Sequence, residues 1–202
     1  MDHQKEFFDA SYQKLVDAIQ GIPDDIAVDI YAFTFIFYDD GTYSSQLVMR
    51  AYYTTESHFK ASIDKAYDEM EAKWFFDFWL LGLWDWFSIG GLDDELWQKW
   101  TKSTSFYHTE EEGKELHSKD ERKFWEHCKG THAMFEDTII DLSQKLHTEG
   151  VFVKKFGKPI PVIVQFYEPG PEQIEWTLRA NPKGVADEYV SWANDYLGCK
   201  KT

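Results

Sequence analysis

Apolar residues recur at helical spacing in four segments of the chain. In the first segment they stand at steps of four, three and four, and Gly21 with Pro23 ends the run. The same period returns over 57–73, 135–146 and 185–196. Side chains three and four positions apart share one face of a helix, so each segment predicts an amphipathic helix. The stripes are Phe8, Tyr12, Leu15 and Ile19; Phe59, Ile63, Ala66 and Met70; Phe135, Ile139, Leu142 and Leu146; and Val185, Tyr189, Trp192 and Tyr196.

Shorter signals predict two further helix positions. Residues 92–100 favour a short helix, and Ser118-Lys119-Asp120-Glu121 has the form of a capping box. In that motif a hydroxyl and an acid three residues later satisfy the first N–H groups of a helix. Between these signals, residues 101–119 are polar and predict a loop or an exposed insertion.

The first half of the chain carries a predicted β-hairpin. Residues 26–38 are rich in β-branched and aromatic types on both parities, which is typical of a strand covered on both faces. Asp39-Asp40-Gly41 follows, and Asp-Gly favours a tight turn because its backbone tolerates positive φ. Residues 43–53 then return as the second strand.

A second hairpin is predicted near the C-terminus. Residues 160–167 form an apolar run, Glu168-Pro169-Gly170-Pro171 reads as a turn, and residues 174–179 alternate strictly between apolar and polar types. The order of elements predicts an α+β fold, with an antiparallel sheet built from two β-hairpins and packed by several helices. The chain has the length of one domain, so we expect a single α+β domain over 1–202 with a polar insertion around 101–120.

One aromatic stretch, residues 73–87, reads KWFFDFWLLGLWDWF. Periodicity does not decide between helix and strand over 74–87. A membrane span needs about 20 apolar residues, and each Asp near its centre costs roughly 2.5–3.5 kcal/mol. The stretch is shorter than that and contains Asp77 and Asp85. We therefore expect no membrane insertion.

The charge is strongly negative and unevenly distributed. The formal net charge is −15, and residues 1–100 hold 19 acidic and 7 basic side chains, against 17 and 14 in residues 101–202. Such a balance repels nucleic-acid phosphates and attracts basic partners. Lys154, Lys155 and Lys158 form a basic cluster that is too small to hold a phosphate backbone. We therefore expect no nucleic-acid binding.

Signals for chemistry are weak. The sequence contains neither a glycine-rich phosphate loop nor a Gly-x-Ser-x-Gly elbow. His127, Cys128 and His132, with His117 upstream, come nearest to a zinc site, but a spacing of five places the two later histidines on different helix faces. Paired carboxylates arise by chance in so acidic a chain. We expect no cofactor, no metal and no catalysis, and a metal- or carboxylate-dependent enzyme remains the less favoured alternative.

The cellular compartment is predicted from two features. The chain begins without a charged-then-apolar leader, and Cys128 and Cys199 show no metal or redox spacing. We therefore expect a cytoplasmic protein.

Aromatic and acidic residues are interleaved between positions 74 and 100. Aromatic side chains anchor protein interfaces, and an acidic surround steers a basic partner. The alternative for each tryptophan is core packing. An Asp is rarely buried without a partner, so Asp77 and Asp85 indicate an edge that faces solvent or a protein. The predicted partner-binding residues are Asp77, Trp79, Trp84, Asp85, Trp86, Asp93, Asp94 and Glu95.

The C-terminal half resembles a bacterial family of domains of unknown function whose members sit among the immunity proteins of polymorphic toxin systems. The similarity lies in Leu142…Leu146-x-x-Glu149-Gly150-x-Phe152, then a hairpin, then Asn181-Pro182 before a terminal helix. A hairpin at 28–53 followed by a helix and a Trp-rich segment also fits. The polar insertion lies outside the resemblance.

The resemblance implies a small cytoplasmic binder that occludes a toxin and has no chemistry of its own. Many such toxins are nucleases with a basic groove, which a chain of charge −15 can enter as a mimic of the phosphate backbone. The expected function is therefore an immunity protein that neutralises a cognate, basic toxin domain. The alternative is a general scaffold or a regulatory protein-binding module.

Overall fold

The computed structural model describes residues 2–39, 46–75, 87–167 and 170–197. The strands are β1 (Ile30–Asp39), β2 (Leu47–Thr55), β3 (Ser88–Gly90) and β4 (Val162–Phe166). The helices are α1 (His3–Gln20), α2 (Asp24–Ala27), α3 (Glu56–Ser62), α4 (Glu69–Trp74), α5 (Glu95–Lys102), α6 (Glu110–Lys119), α7 (Glu121–Thr148), α8 (Val151–Phe156), α9 (Glu172–Ala180) and α10 (Asp187–Tyr196).

Within these residues the strands form one mixed sheet in the order β3-β2-β1-β4. β1 pairs with β2 in antiparallel register, with Phe35 opposite Ala51, and β3 pairs with the far edge of β2, also antiparallel. β4 runs parallel to β1, which places Phe37 beside Phe166. The fold is α+β, as the element order predicts.

The central strand β1 is buried on both faces. On one face, Phe33, Phe35 and Phe37 belong to a cluster with side chains of α1, α5, α7 and α8. On the other face, Tyr31 and Ala32 belong to a second cluster with side chains of α3, α4, α9 and α10. Apolar residues at both odd and even positions of this strand therefore indicate that both of its faces are covered, as predicted.

The first predicted hairpin is observed as the β1–β2 pair, and its predicted turn at residues 39–41 extends outside the described residues. The predicted second hairpin is wrong, because residues 174–179 lie in α9. Ile174 and Thr177 are buried at helical spacing, whereas Leu178, which the strand pattern would also bury, is 52% exposed. In a strand with strictly alternating faces, Thr177 would face solvent. In the structure its hydroxyl instead accepts a hydrogen bond from the Val164 N–H at 3.1 Å.

The predicted antiparallel sheet is also wrong, because β4 is parallel to β1. Parallel neighbours require a long crossover, and here the chain between the two strands passes through helices on both faces of the sheet. The error follows from the misassigned hairpin, since a strand at 174–179 would have supplied an antiparallel partner for β4.

Two helical segments differ from the sequence pattern. The polar segment predicted as a loop or an exposed insertion contains α6, whose start is fixed by a capping box between Thr109 and Glu112. Residues 57–73 do not form one helix: α3 ends at Ser62, a short 3-10 turn follows, and Asp68 caps α4 anew. Among the described residues, no helix combines the length and apolar character that a membrane crossing requires.

Asn181 joins three elements next to the predicted Asn-Pro helix start. Its Oδ1 accepts from the Val162 N–H at 2.8 Å, and its Nδ2 donates to the carbonyl oxygens of Val162 and Thr177 at 2.7 Å each. His147 of α7 contacts the same Oδ1 at 3.2 Å. The amide thus occupies the place of a neighbouring strand on β4, and it holds the end of α9 against the sheet.

Candidate functional site: an acidic face beside an aromatic cleft

The predicted partner-binding residues fall into two groups. Asp93, Asp94 and Glu95 lie immediately before or at the start of α5. The other predicted residues lie outside the described part of the chain: Asp77, Trp79, Trp84, Asp85 and Trp86.

Asp94 has a structural role as the N-cap of α5. Its Oδ1 accepts from the N–H groups of Leu96 and Trp97 at 3.1 and 3.2 Å, and its Oδ2 accepts from the Gly90 N–H at 3.1 Å. These bonds satisfy helix donors that would otherwise lack partners. Asp93 and Glu95 are exposed, so they remain available to a partner.

The described tryptophans of the Trp-rich region belong to the core. Trp97 is fully buried, with ring centroids 5.4 Å from Phe7 and 4.8 Å from Phe135. Trp100 is buried beside it, and Trp74 packs edge-to-face on Tyr31 at 5.7 Å in the second cluster. For these three side chains core packing, the alternative left open by the sequence, is what the structure shows.

The histidines and the cysteine of the weak zinc pattern have different main neighbours, although Asp39 acts on both Cys128 and His132. Burial, followed by the field of Asp39, raises the pKa of the Cys128 thiol. Burial, followed by repulsion from His108, lowers the pKa of His127. His132 lies on α7 with its Nε2 3.7 Å from an Asp39 oxygen. No group of three or more potential metal ligands occurs among the described residues.

An aromatic cleft opens where β1 and β4 end. Because parallel strands end at the same edge of a sheet, Phe37 and Phe166 stand side by side, with ring centroids 5.4 Å apart. The ring centroid of Trp176, on α9, lies 5.1 Å from that of Phe37. The cavity measures about 380 Å³, and its lining is Phe37, His132, Glu136, Phe166, Gly170, Glu172 and Trp176.

Two carboxylates, Glu136 and Glu172, line this aromatic cleft, and further carboxylates follow on the same two helices. On α7 and α9 they form what we call the acidic face: Glu136, Asp137, Asp141, Glu172 and Glu175. Arg179 is the cation paired with it, donating from Nη1 to Glu136 at 3.2 Å and from Nη2 to Asp137. One guanidinium shared between two carboxylates leaves the acidic face with excess negative charge.

The pKa values of the acidic face reflect burial and mutual repulsion. Burial raises the pKa of Glu136, and repulsion from Asp137 and Glu175 raises it further, against the attraction of Arg179 and a hydrogen bond from the Trp176 side chain. Burial and then repulsion from Asp137 raise the pKa of Asp141. A nearby cation stabilises the ionised form of carboxylates in such surroundings, because it offsets the repulsion between them.

Comparison of the chain with protein-family models, with curated proteins and with solved structures finds no match.

Sequence reasoning missed most of the aromatic cleft. Of its lining, only His132 was considered, as a weak zinc ligand. The predicted hairpin places Trp176 on a strand, so the sequence pattern does not show that Trp176 and Glu172 lie on a helix beside α7. The cleft gathers residues from three distant segments, and only the parallel pairing of β1 with β4 brings them together.

Proposed function

We propose that this chain is a non-catalytic binding protein that captures a basic toxin domain in the cytoplasm and neutralises it by occlusion. The observation that carries the proposal is the acidic face on α7 and α9 beside a cleft lined by three aromatic rings. Aromatic anchors are enriched in binding hot spots, and complementary charge around them steers the partner.

The acidic face supports the basic character of the partner. The pKa values of Glu136 and Asp141 are raised first by burial and then by repulsion from other carboxylates. A positive charge nearby would offset that repulsion, so the acidic face favours a basic surface over a neutral one. The net charge of −15 adds a long-range field that draws such a partner in. Association can then approach about 10⁸–10⁹ M⁻¹s⁻¹ at low salt.

The toxin identity of the partner rests on the sequence resemblance described above. Fast binding helps a protein that neutralises a toxin by occlusion, and an acidic chain binds fastest to a groove that is built for phosphate. A general scaffold or regulatory module would use the same surface for a different basic protein. The gene context separates the two, since a toxin requires a neighbouring frame that ends in a small basic domain.

Co-expression with the product of the adjacent gene tests the proposal. We expect the toxin domain to stop growth when expressed alone, and this chain to restore growth and to co-purify in a one-to-one complex. Harmless expression of the neighbouring product, or restored growth without a complex, would contradict occlusion of a toxin.

Glu136 favours one second candidate, a carboxylate-dependent enzyme. A half-buried carboxylate with a raised pKa in a cleft, one helical turn from His132, has the surroundings of a general acid. Stoichiometry distinguishes the two functions. A catalyst that inactivates the toxin would protect cells at far fewer than one copy per toxin, and Glu136→Gln would abolish that protection.

A further inference from the structure

The walls of the aromatic cleft are suited to a flat cation. The ring centroids of Phe166 and Trp176 lie 5.4 and 5.1 Å from that of Phe37, and cations bind over aromatic faces within about 6 Å of the ring centre. The volume of about 380 Å³ is near the lower end of small-ligand sites. It therefore has room for one side chain rather than for a large cofactor.

Two carboxylates occupy the wall and the mouth of the same cavity. Glu136 projects from α7, and Glu172 lines the cavity from the first turn of α9. The Glu172 carboxylate folds over Gly170, where a Cβ would come within 2.6 Å of Oε2. The absence of a side chain at Gly170 thus lets this carboxylate stay at the mouth of the cleft.

The acidic face already binds a guanidinium within the chain. Arg179 spans Glu136 and Asp137 with two separate N–H donors. A planar fork of donors matches carboxylate geometry in a way that a single ammonium does not, and it stacks on aromatic rings as well. The same side-chain chemistry fits the cleft beside it.

We propose that the aromatic cleft receives one arginine side chain of the partner, stacked on Trp176 and bonded to Glu136 and Glu172. This inference rests on the proposed function, because it names the group by which the basic partner is anchored at the acidic face. Arginine is also among the residues most enriched at interface hot spots, which agrees with a single buried anchor.

Titration with methylguanidinium, the end group of arginine, tests the cleft without any partner. The readout is the indole N–H resonance of Trp176 in protein labelled with ¹⁵N-tryptophan, assigned through Trp176→Phe. We expect a saturable shift, with methylammonium binding more weakly. Glu136→Gln/Glu172→Gln should raise the dissociation constant at least tenfold, and Glu172→Gln alone, at an exposed position, at least threefold.

The matched control is Glu115→Gln/Glu126→Gln, which removes the same charge from exposed positions of α6 and α7. It should leave the dissociation constant unchanged. A shift that rises linearly with methylguanidinium concentration, as it does with sodium chloride, would overturn the arginine site. An equal increase of the dissociation constant in the control variant would overturn it as well. Tetramethylammonium binding as tightly as methylguanidinium would also overturn it, in favour of a free quaternary ammonium.

The two proposals fail separately. A failed titration removes the arginine site and leaves the proposed function to the co-expression experiment. A failed co-expression removes the toxin partner, whereas a saturable titration would still establish a guanidinium site in the cleft.

Discussion

Replacing Asn181 by alanine should destabilise the fold far more than its position after a helix suggests. Its side chain makes three hydrogen bonds with the backbone of Val162 and Thr177, all between 2.7 and 2.8 Å. A typical intramolecular hydrogen bond contributes about 1 kcal/mol net, so the three together contribute about 3 kcal/mol. The N–H of the fully buried Val162 would also lose its acceptor.

Urea unfolding followed by circular dichroism measures this loss. Asn181→Ala should lower the free energy of unfolding by about 3 kcal/mol at an unchanged m-value. The melting temperature should fall by about 6–12 °C, since 1 kcal/mol shifts it by about 2–4 °C in chains of this size. Asn194→Ala is the matched control, because, within the described part of the chain, its side chain bonds only the Val190 carbonyl of its own helix at 2.7 Å. A difference below about 0.5 kcal/mol between the two variants would refute the reasoning.

Three further predictions concern stability. Asp94→Ala should cost about 1 kcal/mol in urea unfolding through loss of the cap, whereas Asp93→Ala should stay within about 0.5 kcal/mol; equal losses would contradict the assigned roles. Gly90→Ala should destabilise far more than Gly150→Ala: both have positive φ, but a Cβ at Gly90 would lie 2.3 Å from a backbone oxygen of β2, and one at Gly150 meets nothing within 4 Å. Burial lowers the pKa of His147, so the unfolded state binds a proton first and stability should fall as pH falls through about 6.5. The variant His147→Gln should show a smaller decrease of the unfolding free energy as the pH falls. An unchanged decrease, measured by urea unfolding at several acidic pH values, would count against this cause.

Patterns among residues that are close in the sequence predicted individual helices and strands of this fold. The stripe from Phe135 to Leu146 is buried on α7, and the apolar residues of 30–37 form a strand covered on both faces, because both signals depend only on neighbours along the chain. Alternation over 174–179 misled because Thr177 is a buried polar residue bonded to β4. A segment this short fits both the helical and the strand period, and its contacts in the folded protein decide which structure it adopts.

The candidate site was not predictable in the same way. Asp94 looked like part of an acidic binding stretch, and only geometry shows that it caps α5. The acidic face needed the packing of α9 against α7, and the aromatic cleft needed the parallel pairing of Phe37 with Phe166. Neither is encoded in any single stretch of sequence. The predicted residues from Asp77 to Trp86 lie outside the described part of the chain and stay a prediction.

Stopped-flow association with the co-purifying toxin domain tests the central claim, that the acidic face captures a basic partner, most directly. Asp141→Asn/Glu175→Gln neutralises two of its carboxylates outside the cleft, and Glu115→Gln/Glu126→Gln removes the same charge elsewhere. At low salt we predict about fivefold or more slower association for the first variant, a much smaller change for the second, and convergence of both with the parent at high salt. Equal rates for the two variants at low salt would contradict the account.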